Sequence, residues 1–203
     1  MIIIGITGSI GMGKSNIALI LKFFGIPIHD SDGSVKKLLK EDFIIGIIKK
    51  EWPNCINHNK KKQNINKEEL SKIIFNNSNE RKKLENLLHP YVVKKRNNFI
   101  RKNKNKNIIG LDVPLLYETK TDKVCHYIFL ASATKEIQQK RVLKRNNMNI
   151  EKFNKINNSQ LSDFEKKKKN PIIIPTGYGK IITFIIVMLN LLWINIKTKS
   201  IKI

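Results

Sequence analysis

Acidic residues are scarce in this chain. Its 203 residues include 16 Asp and Glu against 39 Lys and Arg, for a formal net charge of +23. Cysteine is scarcer still. Cys55 and Cys125 lie far apart and show no metal-type spacing, which excludes a disulfide framework and a zinc ribbon. The four histidines, His29, His58, His89 and His126, form no ligand pair at helical spacing. Aromatics make up 7% of residues, and no aromatic-rich RNA-binding motif is present. No basic segment followed by a cleavable apolar stretch is visible at the start. With the sparse cysteines, this predicts a reduced, cytoplasmic protein.

A charge of +23 ordinarily points to nucleic acid or an anionic membrane. Here the excess is mostly Lys, and Ile and Asn are abundant beside it. These three share A/T-rich codons, so base composition accounts for much of the charge. No specific nucleic-acid partner is expected. The basic face still suits polyanionic substrates such as nucleotides.

Residues 8–15 read G-S-I-G-M-G-K-S, the pattern G-x-x-x-x-G-K-[ST]. An apolar run at 2–6 predicts a buried strand before it, and apolar periodicity at 16–24 predicts a helix after it. Strand, glycine loop and helix together give a P-loop its context. The glycines let successive N–H groups converge on phosphate oxygens, and the helix adds its positive end. Lys14 reaches the β- and γ-phosphates, and Ser15 offers a hydroxyl to Mg²⁺.

Further along, Gly25 is a plausible helix C-cap, and 26–29 predicts a second strand ending at Asp30 and Asp32. Ligands of parallel α/β sheets bind beyond the carboxyl ends of strands, so Asp30 and Asp32 are expected to share a crevice with the P-loop. Asp30 is a candidate general base for a substrate hydroxyl, and Asp32 a candidate for helping to hold Mg²⁺. The plainer alternative for both is a turn or helix cap.

Residues 41–101 predict charged helices at 65–75, 79–88 and 91–101, with a solvated loop at 60–64 and a break at His89-Pro90. Trp52 and Phe75 read as core residues. Strands are expected at 108–113, ending in the Walker-B-like Asp112, and at 127–130. A helix at 134–146 would place Arg141 and Arg145 on one face, either as phosphate clamps or as an exposed charged face. A basic helical stretch follows at 150–169, then a fifth strand after Asn170. Residues 181–196 are very apolar but include Asn190 and Asn195. A terminal helix packed on the sheet is the preferred reading, and a membrane anchor is disfavoured.

Several ordered motifs resemble the dephospho-CoA kinase family. They are I-G-I-T-G-S-I-G-M-G-K-S, H-D-S-D, L-L-H-P at 87–90, V-P-L-L-Y-E at 113–118, Q-x-x-R-x-x-x-R at 138–145, and Gln160 with Glu165-Lys166. The resemblance covers residues 1 to about 169. It implies an α/β fold: a P-loop three-layer α/β/α architecture with a five-stranded parallel sheet. In that scheme the core is about 1–32, 105–135 and 170–203, a helical CoA-binding insertion about 33–104, and a helical lid about 136–169. It implies ATP- and Mg²⁺-dependent phosphorylation of the ribose 3′-hydroxyl of dephospho-CoA. Gly11, Met12, Gly13, Lys14, Ser15 and Asn16 would bind ATP, and Asp30 would be the base. Lys14, Arg141 and Arg145 would stabilise the transferring group. His89, Pro90, Leu115, Leu116 and Glu118 would shape the dephospho-CoA side. Ser15 and Asp32 would face the metal.

Two other readings of the residues are a P-loop protein that binds nucleotide or nucleic acid without catalysis, and a kinase for another nucleotide. The tail departs from the family pattern. Asn170-Pro171 and Pro175-Thr176-Gly177 stand where the family usually has Ala-Asp and Asn-x-Gly. A reading-frame slip within the preceding lysine run, 166–169, would explain an unrelated apolar tail, and resequencing that tract would test it.

Overall fold

The computed structural model describes residues 1–59, 62–146 and 148–200. The chain divides into two compact units. One is Met1–Asp30 with Asn103–Ile203, and the other is Ser31–Lys102.

The first unit is built on a parallel sheet. Strand β1 (Ile2–Thr7) leads through the glycine loop into α1 (Lys14–Phe23), and β2 (Ile28–Asp30) follows. Ile3, Ile4 and Ile6 are all buried, as expected of a central parallel strand covered on both faces. Helix α1 ends in a Schellman turn. Gly25 has φ 73°, its N–H donates to Lys22 O (2.9 Å), and Ile26 N donates to Leu21 O (3.1 Å). The predicted C-cap is therefore present.

In the second unit, α2 (Ser31–Leu38) and α3 (Asp42–Glu51) precede a hairpin of β3 (Ile56–Asn59) and β4 (Lys62–Ile65). This corrects the expectation of a mainly helical segment without strands and with a loop at 60–64. Residues 62–64 are strand, while Lys60 and Lys61 lie outside the described residues. Alternation of Gln63, Asn64 and Ile65 is too short and too polar to read as a strand, and pairing with β3 decides it. Helix α4 (Lys67–Asn76) is capped by Asn66, whose side chain accepts from Glu68 N and Glu69 N.

Helix α5 (Ser78–Lys102) runs through His89-Pro90 without a break, which corrects the predicted interruption. Proline removes one N–H and crowds one carbonyl, a local penalty that the remaining turns of a long helix absorb. Leu84 and Leu88 fix α5 in a core with Ile44, Ile48, Trp52, Ile56 and Leu70. Trp52 is buried, and its Nε1 donates to Glu80 Oε2 (2.7 Å). Phe75 is exposed instead of being a core residue.

The chain then returns to the first unit. There β5 (Ile108–Asp112), β6 (Tyr127–Ser132), α6 (Lys135–Leu143), α7 (Ile150–Asn158), α8 (Asp163–Lys167), β7 (Ile172–Pro175) and α9 (Lys180–Ser200) follow. The sheet order is β2-β5-β1-β6-β7, and every pairing is parallel. The five-stranded parallel sheet is thus as expected. Pro175 ends the edge strand β7, where a missing N–H costs least. The core joins Ile4, Ile6, Ile17, Leu21, Phe129 and Ile174 to Val187, Leu191 and Ile194 of α9. Helix α9 is therefore a packed terminal helix along one face.

Candidate active site

The glycine loop has the shape its sequence predicts. Gly11 and Gly13 have φ of 80° and 91°, in the left-handed region. A Cβ at Gly11 would lie 2.8 Å from Gln138 O, and one at Gly13 would lie 2.7 Å from Thr176 Oγ1. Both positions are closed to any side chain. Gly13 is also the N-cap of α1 and supplies no side-chain cap. The opening N–H groups of α1, at Lys14 and Ser15, have no intrahelical acceptor and belong to the positive end of the helix. This is the arrangement that receives a phosphate.

Strand register gathers the carboxylates. Asp112 pairs with Ile6 on one side and with Asp30 on the other. Asp30 and Asp112 therefore sit at the same carboxyl edge of the sheet, next to the strand that feeds the loop. Lys14 Nζ is ion-paired with Asp112 Oδ1. Asp30 is exposed and Asp112 nearly buried. Asp32 lies in the first turn of α2, in the other unit, where its charge complements the helix N-terminus.

Three side chains from the segment after β6 hold the loop from outside. Gln138 Nε2 donates to Ile10 O (2.8 Å), and Ile10 N donates to Gln160 Oε1 (3.1 Å). Ile10 is thus gripped at both its N–H and its carbonyl, one in each of two consecutive peptide units of the loop. Arg141 donates to Thr176, through Nη1 to Oγ1 (3.0 Å) and through Nη2 to the carbonyl (2.6 Å). Thr176 Oγ1 in turn donates to Met12 O (2.6 Å). Arg145 does not share a helical face with Arg141. Helix α6 ends at Leu143, and Arg145 is exposed in the turn beyond it.

Lys166 is fully enclosed. Its Nζ donates to Ser9 Oγ (3.0 Å), with Glu118 Oε1 at 4.0 Å. Burial pushes its pKa below the usual lysine value, against the pull of the Glu118 and Asp163 charges. Glu118 Oε1 also accepts from Leu161 N (2.8 Å). Leu116 is fully buried against Gly5, so it packs the base of this region, while Leu115 is partly exposed. Burial raises the Tyr117 phenol to about 12, with nearby acidic charges adding to the shift. His89 and Pro90 are exposed on α5 of the other unit.

Sequence reasoning did not single out Thr176 or Lys166 by chemistry. Thr176 follows an edge strand in a Thr-Gly turn that any loop might use, and Lys166 opens a run of four lysines in which only one is buried. Gln138 and Gln160 were visible only within the family motif.

A family model for dephospho-CoA kinase matches residues 2–178. The chain belongs to the dephospho-CoA kinase family. A Bartonella quintana dephospho-CoA kinase is 38% identical over 179 residues, covering 87% of this chain and 90% of that one. A Prochlorococcus marinus dephospho-CoA kinase is 38% identical over 184 residues, covering 87% and 88%. Among solved structures, Thermus thermophilus TT1252 superposes with a TM-score of 0.80 at 25% identity, covering 94% of this chain and 96% of that one. A Campylobacter jejuni dephospho-CoA kinase shares the fold, with a TM-score of 0.71 at 24% identity and coverage of 95% and 96%. The family match continues past the lysine run to residue 178. Together with the bonds Thr176 makes to Met12 and Arg141, this argues against a frame slip at 166–169.

Proposed function

We infer that this chain is an ATP-dependent dephospho-CoA kinase. It transfers the γ-phosphoryl group of ATP to the ribose 3′-hydroxyl of dephospho-CoA, the last step of coenzyme A synthesis. Membership of the family over residues 2–178 carries this reading. The uncapped, glycine-bent loop with Lys14 gives it a chemical basis.

Asp30 is assigned as the base. It accepts the 3′-hydroxyl proton as that oxygen bonds to the γ-phosphorus, and the bond to the β–γ bridging oxygen breaks to release ADP. It is exposed at the carboxyl edge of the sheet, beside Asp112. Lys14, held by Asp112, offers its charge where negative charge collects in the transfer. Arg141 and Arg145 add charge from the segment 136–169, read as a lid. Gly11 to Asn16 bind the nucleotide phosphates. His89, Pro90, Leu115, Leu116 and Glu118 are assigned to the dephospho-CoA side.

Mg²⁺ takes oxygen ligands and usually keeps several waters, using one or two protein oxygens and phosphates. The Ser15 hydroxyl at the start of α1 fits that demand. The assigned carboxylate is Asp32, and Asp112 is a second candidate because it lies beside Lys14. The ion supplies charge neutralisation at the phosphates when bound.

A coupled ADP-release assay with and without dephospho-CoA tests the reading. Release that depends on dephospho-CoA supports it. Turnover with a nucleoside monophosphate instead would assign another nucleotide kinase, and salt-sensitive RNA binding without turnover would assign a non-catalytic P-loop protein.

A further inference from the structure

Helix α9 has two apolar faces, and only one is used by the core. Thr183, Val187, Leu191 and Ile194 point inward and are buried. Ile181, Ile185, Leu189, Leu192 and Ile196 recur at helical spacing on the opposite side, flanked by Ile182 and Trp193, with exposures of 44–77%. A solvated helix face is ordinarily polar, but between Ile181 and Ile196 the described residues of this one are apolar, with exposed Asn195 at its border. Phe23 and Phe24 at the end of α1 extend the patch. Their rings lie 5.6 and 5.4 Å from that of Phe184. Phe23 is 75% exposed.

The rim of this surface is basic. Lys22, Lys180 and Lys197 are exposed around it, and Lys106 lines the groove that runs beside Met188 and Leu192. Lys197 Nζ stands 5.0 Å from the centre of the Trp193 ring. Residues 170–203 contain four lysines and no Asp or Glu, and residues 1–29 contain no Asp or Glu either.

We propose that the outer face of α9, with Phe23 and Phe24, docks onto an anionic lipid bilayer, α9 lying in the interface. Charge selects this occupant. A second copy would bring another +23 against the patch, whereas an anionic leaflet attracts its lysine rim. Helix α9 does not span the bilayer, because Val187, Leu191 and Ile194 belong to the sheet's core and leaving it would open that core. An apolar face with lysines at its border and a tryptophan at its edge is the composition of an interfacial helix.

The test uses the full chain carrying Trp52→Phe, so that Trp193 is the sole tryptophan reporter. It is mixed with phosphatidylcholine vesicles, with or without phosphatidylglycerol. The expected result is a blue shift of Trp193, quenching by brominated acyl chains, and co-sedimentation, all requiring phosphatidylglycerol and weakened by salt. Ile185→Glu with Leu189→Glu should lower partitioning at least about tenfold while dephospho-CoA-dependent turnover stays within about twofold. The vesicle readout does not depend on the kinase assignment. Absence of binding to phosphatidylglycerol vesicles would overturn the proposal. So would binding that survives the double substitution, which is charge adhesion alone, or a native dimer that the double substitution dissociates.

Discussion

Asp30 is the residue on which the chemistry turns. Asp30→Asn keeps the shape and removes the base, so turnover should fall about 10²- to 10⁴-fold with KM for dephospho-CoA little changed. Near-normal turnover would remove the base assignment. Lys166 carries a second prediction, because burial lowers its folded-state pKa from the ordinary 10.5. The unfolded chain then binds more protons than the folded one between the lowered value and 10.5, so this residue's contribution to stability rises with pH through that window. Below the window the burial penalty on the ammonium is fully present. Urea unfolding of the wild type and of Lys166→Met, at neutral pH and near pH 10, should show the difference shifting toward the wild type as pH rises. A difference independent of pH would mean that Lys166 does not titrate differently on folding.

At the scale of elements, the loop is held by what surrounds it as much as by its glycines. Thr176 joins β7 to the loop through Met12 and to α6 through Arg141. Thr176→Val leaves Met12 O and an arginine N–H without that partner. It should cost about 1–3 kcal/mol in denaturant unfolding and raise KM for ATP. Helix α5 offers the opposite case. Pro90→Ala restores a helical N–H on an exposed face, and should stabilise the protein by about 1–3 kcal/mol. If Pro90 shapes the dephospho-CoA side as assigned, the same change raises KM for that substrate, and an unchanged KM would leave it a neutral passenger of the helix.

For the whole molecule, nucleotide binding and folding are linked. ATP at about 100 times its Kd should add about 2.7 kcal/mol of stability, seen as a higher thermal midpoint. Lys14→Ala should abolish most of that shift with the circular dichroism unchanged, and a retained shift would remove Lys14 from the phosphate site. The P-loop, the order of strands and helices around it, and the family were legible in the residues, because glycine conformation, apolar runs and short motifs are local properties. The pairing of β3 with β4 and the unbroken α5 were not, because pairing and packing overrode weak local signals there. Nor was the end of α6 before Arg145 legible, since a charged run carries no stop signal of its own. By itself the sequence determined the phosphate-binding loop, the parallel α/β class and the kind of chemistry. Tertiary structure alone decided which of four consecutive lysines is buried under Ser9, that Thr176 closes the loop, and which side of an apolar terminal helix faces outward. Each of those depends on neighbours distant in the chain, and burial, unlike conformation, is not a local property.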